Sequence, residues 1–134
     1  MLYLKNSNII WKHIVVIPIL TLLSIPLIIL DVCVELYHRI CFPLCKLPYI
    51  KRSAHIKIID RGKLQYLSFW QKLYCMYCGY GNGVIRYWKE IASVTEGYWC
   101  GIKHKKSEGF IDQDHQKDFA EYGNQNDFVQ KYKK

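Results

Sequence analysis

The clearest chemical pattern in the chain is carried by Cys75, Cys78, Cys100 and His104, spaced C-x2-C-x21-C-x3-H. Thiolate sulfur and imidazole nitrogen are the ligands that zinc takes in tetrahedral structural sites. A C-x2-C turn lets two sulfurs reach one ion, and Cys100 with His104 offers a second clamp. The pattern predicts a Cys3His structural zinc site. Two other uses stay open. Cys75 and Cys78 could serve a membrane-bound thiol redox or metal-dependent enzyme. Alternatively, the cysteines are packed and inert, since free cysteine is among the most buried residue types. A dithiol enzyme calls for a βαβ context with the first cysteine opening a helix, and none precedes Cys75.

A looser group, His38, Cys41 and Cys45, reads H-x2-C-x3-C. It offers a further metal clamp, a lipidation point beside a membrane, or helix-end packing. Asp112, Asp114, His115 and Asp118 could ligate a metal or act as acid and base, but their setting reads as a solvated helix face. Gly79, Gly81 and Gly83 form GxGxG rather than GxGxxG, with no strand leading in, so a phosphate loop is excluded. These glycines are expected to turn the backbone beside the cysteines. No nucleophile–His–acid arrangement is present.

The elements that must position these residues begin with Ile14–Leu30, seventeen residues without a charge. The apolar character extends from Ile9 to about Leu36. That suits a transmembrane helix, with Trp11, Lys12 and His13 as interfacial anchors. A signal peptide has a shorter apolar core and a small-residue cleavage site, which is missing here. Pro18 and Pro26 are tolerated in membrane helices. Past Leu30 the helix should run on as an amphipathic turn or two. There Asp31, Glu35 and Arg39 share a face and pair internally. Pro43 and Pro48 break it within residues 41–48.

Residues 55–68 alternate apolar and polar around Asp60–Lys63 and predict a short β-hairpin. Residues 69–78 predict a short helix. A second helix is expected over 83–96, capped by Asn82, closed by Gly97, with its apolar stripe at 84, 87, 88, 91 and 95. In this reading the second helix separates the two metal clamps, and the chain must fold back to join them. Residues 112–123 predict a further short helix ending at Gly123, and residues 130–134 a frayed end. Ten of the twenty aromatic residues lie in 66–99, suiting either headgroup level or a small core.

Charge is unevenly placed. Residues 39–106 hold thirteen Lys/Arg against three Asp/Glu, whereas 1–38 are balanced and 107–134 carry four against six. Lys5 and Lys12 precede the span, and Arg39, Lys46, Lys51 and Arg52 come after it. The bias places the C-terminal part in the cytoplasm. There Arg39, Lys46, Lys51 and Arg52 would contact anionic headgroups of the bilayer. Nucleic acid is the weaker alternative partner, because no recognition motif accompanies the charge.

The runs CMYCGYGNGVIRYWKEIASVTEGYWCGIKH, YHRICFP, YIKRS and DFAEYG resemble a family of small uncharacterised bacterial membrane proteins with a YCxYxNG…TExYWCPIKH motif. The likeness covers most of the chain past residue 36. It places Cys75, Cys78, Asn82, Gly83, Glu96, Cys100 and His104 on motif positions. Gly101 stands where the family has proline. The resemblance implies a shared site and no particular reaction.

The expectation is therefore a mainly α protein. Residues 1–40 hold the N-terminal segment and a single transmembrane helix. Residues 41–106 form a basic Cys/His-containing cytoplasmic domain with a short hairpin, and 107–134 a polar tail. The expected role is interaction at the surface of the cell (inner) membrane rather than catalysis.

Overall fold

A 36-residue helix, α1 (Ile9–Leu44), dominates the computed structural model, which describes residues 9–133. Lys5, one of the charges that set the expected orientation, and Lys134 lie outside them. At ~1.5 Å per residue α1 is about 54 Å long, well beyond a hydrocarbon slab of ~30 Å. Pro18, Pro26 and Pro43 are accommodated within it. Between the first two, the Thr21 hydroxyl donates to the Ile17 carbonyl at 2.9 Å and Ser24 to that of Thr21 at 2.6 Å. Both hydroxyls are thereby satisfied within the helix itself. Its apolar half stays bare, with Leu22 68% and Leu23 56% exposed. Among the described residues this is the one helix long and apolar enough to cross a membrane. The helix ends within the expected stretch, and Lys46 turns the chain at φ +54°.

Three more helices complete the chain: α2 (Arg52–His55), α3 (Phe69–Trp99) and α4 (Gln125–Tyr132), with 3-10 turns at Arg61–Lys63 and Asp114–Gln116. The fold is mainly helical, as the sequence implies. The expected β-hairpin over 55–68 does not form, and no strand occurs among the described residues. A single parallel bridge joins Ile102 and Ala120. The reason lies in α3. A Cβ at Gly79 would sit 2.6 Å from the Lys57 carbonyl oxygen. One at Gly83 would sit 2.8 Å from Ile56 Cα. These two glycines, spaced i,i+4, open a groove on one helix face. The 55–58 backbone lies in it instead of pairing with itself.

The same packing corrects the two-helix reading of 69–96. Residues 69–99 are one helix, opened by a capping box in which the Ser68 and Gln71 side chains each accept from the other's backbone N–H. The glycines lie within this helix rather than at a hinge. Asn82 is no cap; its amide donates to the Cys78 carbonyl at 2.9 Å. Gly97 is still helical and packs against Phe119, while Gly101, at φ +63°, supplies the left-handed turn after the helix.

Contacts between α1 and α3 rise together in residue number. His13 lies beside Tyr74, with ring centroids 5.8 Å apart, and the Tyr77 hydroxyl reaches the Leu20 carbonyl at 3.3 Å. Gly81 faces Leu27, Tyr80 meets Asp31, and the Tyr37 and Thr95 hydroxyls are 3.0 Å apart. The two helices therefore run parallel, and residues 45–68 return between them. The buried cluster of Phe42, Tyr87 and Ile91 draws on both helices, with Val34, Tyr37, Leu47 and Ile50 around it. α1 and α3 share this one core.

The polar tail is docked as well. Phe119 and Ala120 are buried, and the Tyr132 hydroxyl donates to the Gly101 carbonyl at 2.9 Å. In place of the helix expected over 112–123 there is a 3-10 turn, then Gly123 at φ +76°. Asn124 caps α4, which takes up residues expected to fray.

Candidate functional site

The four predicted zinc ligands are not brought together. Cys75 and Cys78 lie in the first third of α3, and Cys100 is the residue that ends it. Twenty-five helical steps separate Cys75 from Cys100, roughly 37 Å. No loop folds back, because the glycines that were to provide it are helical. Cys75 is buried and Cys78 exposed. His104 is exposed, 3.8 Å from Glu96 and against the Phe110 ring at 5.4 Å. Among the described residues no group of three metal-ligating side chains converges. The residues present do not fit a Cys3His zinc site.

The second cluster is reassigned too. His38 is fully buried, and both its ring nitrogens are engaged. The Ile50 N–H donates to Nε2 at 3.2 Å, and Nδ1 lies 2.9 Å from the Tyr87 hydroxyl. With Nε2 accepting, the ring proton sits on Nδ1 and is donated to Tyr87. The Tyr87 hydroxyl in turn donates to Glu35 at 2.9 Å. Neither nitrogen is left for a metal shared with the half-buried Cys41 and Cys45.

That chain of hydrogen bonds belongs to the best-organised polar site in the molecule, where the lower half of α1 meets α2 and α3. Asp31 is 5% exposed. It receives both terminal nitrogens of Arg52, one at 2.8 Å, the Tyr80 hydroxyl at 2.8 Å and the Trp88 indole N–H at 3.3 Å. Glu35 accepts from Arg39 at 2.7 Å, from Arg52 at 3.4 Å and from Tyr87. Two carboxylates thus face two guanidinium groups, and the Arg52 guanidinium also sits 5.4 Å over the Tyr87 ring. A planar fork on a carboxylate is the geometry that suits a partly buried ion pair. The hydrogen bonds and charge of Asp31 hold Arg52 in its cationic form. Burial, then the hydrogen bond to Glu35, pushes the Tyr87 phenol well above its ordinary range. The polar groups of the site satisfy one another through these bonds. Its chemistry is that of a lock joining α2 and α3 to the second half of α1.

The expected Glu35–Arg39 pair forms. Asp31, by contrast, is not headgroup-facing, and its partner Arg52 lies 21 positions away. Of the four predicted headgroup contacts, Arg39 and Arg52 are thus committed internally, whereas Lys46 and Lys51 are exposed. Tyr80, Tyr87 and Trp88 were read only as aromatics; their polar ends are what the site uses. The helical stripe placed Tyr87 and Trp88 on the correct face, but nothing in their spacing names Asp31, Glu35 or His38 as partners.

A smaller polar site ends α3. Glu96 accepts from His115 at 2.6 Å and from Gln116 at 2.7 Å. The His115 bond is the main reason its carboxyl lies below the usual glutamate range. His115 is therefore a docking residue for the tail and not part of a solvated acidic face. Lys117 and Asp114 do form an exposed pair at 2.9 Å.

Compared with protein-family models, with curated proteins and with solved structures, the chain matches none of them.

Proposed function

We propose that this protein is a single-pass membrane protein of the cell (inner) membrane whose post-span chain folds onto the span and forms an interaction module at the membrane surface. The observation that carries the reading is the division of labour along α1. Its first half leaves Ile14, Leu22, Leu23 and Ile25 exposed away from α3, and its second half carries Asp31, Glu35, His38 and Phe42 into a packed core. A surface of that size on a soluble protein would be covered. Here it needs lipid, and α1 is long enough to have it.

The C-terminal ends of α1 and α3 face the cytoplasm in this proposal. Support comes from Lys46 and Lys51, which remain exposed beside the end of α1 and suit anionic headgroups. The role is binding, a reading supported by organised polar groups that are satisfied among themselves. Alkaline carbonate extraction of membranes, together with maleimide labelling of Cys100 in intact and permeabilised cells, tests the reading. The protein should stay in the carbonate pellet, and Cys100 should label only after permeabilisation. Release by carbonate, or labelling from outside, would overturn the anchoring or the orientation respectively.

A further inference from the structure

Where the 55–63 segment lies against α3, a polar cavity of about 480 Å³ opens, lined by His55, Lys57, Asp60, Arg61, Asn82 and Arg86. Its volume is in the range of ligand sites. Three cations face one carboxylate there. Asp60 is turned to its own backbone, accepting from the Arg61 N–H at 2.8 Å. Among the described residues Lys57, Arg61 and Arg86 pair with no carboxylate. Elsewhere Asp31, Glu35, Asp114, Glu121 and Asp127 each hold a lysine or arginine, so unneutralised positive charge is gathered here. The cavity's fork-shaped and point-like cations, with the Asn82 amide, suit an oxyanion such as a phosphate.

A second cavity of about 340 Å³ adjoins it and shares Arg61 and Cys78. Its wall is apolar and runs along α1 through Val16, Ile17 and Leu20, opposite Tyr74 and Tyr77. A cationic chamber therefore opens onto an apolar groove on the span itself. Cations and non-helical backbone beside a membrane helix are tolerated where they line a wet cavity. The juxtaposition matches the two halves of one kind of molecule.

We propose that the paired cavities bind an amphiphile with a phosphate head and a hydrocarbon tail. The phosphate is held by Lys57, Arg61 and Arg86, and the tail lies in the groove against Val16, Ile17 and Leu20. The glycine face of α3 makes the site, because it lets the Lys57 backbone approach closely enough for its side chain to join Arg61 and Arg86. The proposal rests on α1 being the membrane helix, since the bilayer then delivers the ligand directly to the groove.

Cys78 lines both cavities and is exposed, which gives the site its own reporter. The full chain in neutral detergent is alkylated with N-ethylmaleimide, and rates at Cys78 and Cys100 are read by peptide mass spectrometry. Short-chain phosphatidic acid should slow Cys78 about tenfold relative to Cys100, as charge-assisted contacts of this kind warrant. Phosphatidylcholine of the same chain length and inorganic phosphate should each protect far less. Arg61→Gln and Arg86→Gln, both exposed substitutions, should each raise the phosphatidic acid concentration needed by about tenfold. Equal protection by phosphatidylcholine would overturn the anion site. Equal protection by inorganic phosphate would overturn the tail groove, leaving a free phosphate as the source. Unchanged protection in both variants would overturn the assigned residues. The titration is run in detergent, so its result is independent of whether carbonate releases the protein from membranes.

Discussion

Replacing glycine by alanine inside a helix ordinarily stabilises it by about 1 kcal/mol. In α3 the sign should depend on which glycine is changed. At Gly81 a Cβ would meet only the Leu27 side chain at 3.9 Å, an ordinary contact. Gly81→Ala should therefore be stabilising by nearly the full helical gain. At Gly79 the new atom would stand 2.6 Å from the Lys57 carbonyl oxygen. At Gly83 it would stand 2.8 Å from Ile56 Cα and 2.9 Å from the His55 carbonyl oxygen. These neighbours are backbone and cannot rotate away. Overpacking of this kind costs about 1–3 kcal/mol per site. Subtracting the helical gain leaves each variant about 1 kcal/mol less stable, and the double variant about 2. One kcal/mol moves Tm by roughly 4 °C in a chain of this size. Thermal unfolding of the three single variants and the double variant in one detergent, monitored by circular dichroism, reads the signs directly. If Gly79→Ala and Gly83→Ala raise Tm as Gly81→Ala does, the 55–58 backbone does not lie on α3. The phosphate cavity would then fall with it.

Tyr87→Phe should cost about 1–3 kcal/mol, because it leaves His38 Nδ1–H and a Glu35 oxygen without their shared hydroxyl in a buried setting. Tyr37→Phe, losing only the contact to Thr95, should cost less than half as much; equal losses in denaturant titration would show the His38–Tyr87–Glu35 chain to be absent. The Glu96 carboxyl lies below its ordinary value in the folded state, so its stabilising share is present above the unfolded glutamate pKa and is lost as pH falls through the folded one. Protection of amides 114–120 from hydrogen exchange, taken relative to the intrinsic rate at each pH, should fall below about pH 4.3, and Glu96→Gln should remove that acid step. Gly101→Pro cannot take φ +63° and gives up the Gly101 N–H bond to Glu96 O. It should loosen α4, read as faster proteolysis near Tyr132. Zinc titrated against the purified chain should bind no differently when Cys100 is changed to serine, since Cys100 is far from Cys75 and Cys78; a tenfold loss would restore the four-ligand site.

The parts legible in the sequence were those set by local pattern. Seventeen uncharged residues announce α1, and the 84, 87, 91 spacing gives Val84, Tyr87 and Ile91, all of which are buried. Glu35 and Arg39 could be paired from their i,i+4 spacing alone. The features that could not be read depend on partners distant in sequence. Gly79 and Gly83 look like a hinge until the 55–58 backbone is laid against them, and that same contact cancels the hairpin. Once the hinge is gone, the C-x2-C and C-x3-H clamps sit at opposite ends of a rod. Asp31 and Arg52 are 21 residues apart across a turn whose path no periodicity encodes. The cationic cavity was equally hidden, because Lys57, Arg61 and Arg86 look like three members of a general positive excess until the fold gathers them.

The second half of α1 is both the end of the proposed span and a wall of the core, through Asp31, His38 and Phe42. In the proposed arrangement membrane attachment and folding are therefore not separable properties of this chain. A fragment begun after residue 45, the usual way to obtain a soluble portion, would lack the acceptor for Arg52, the imidazole beside Tyr87 and the ring at the centre of the Phe42–Tyr87–Ile91 cluster. It would expose an apolar face of α3 and aggregate. Cleavage of α1 as though it were a leader would have the same effect. For the same reason the choice of detergent acts on this protein as a denaturant does: whatever disturbs the solvation of the span loosens the interior that the span helps to build.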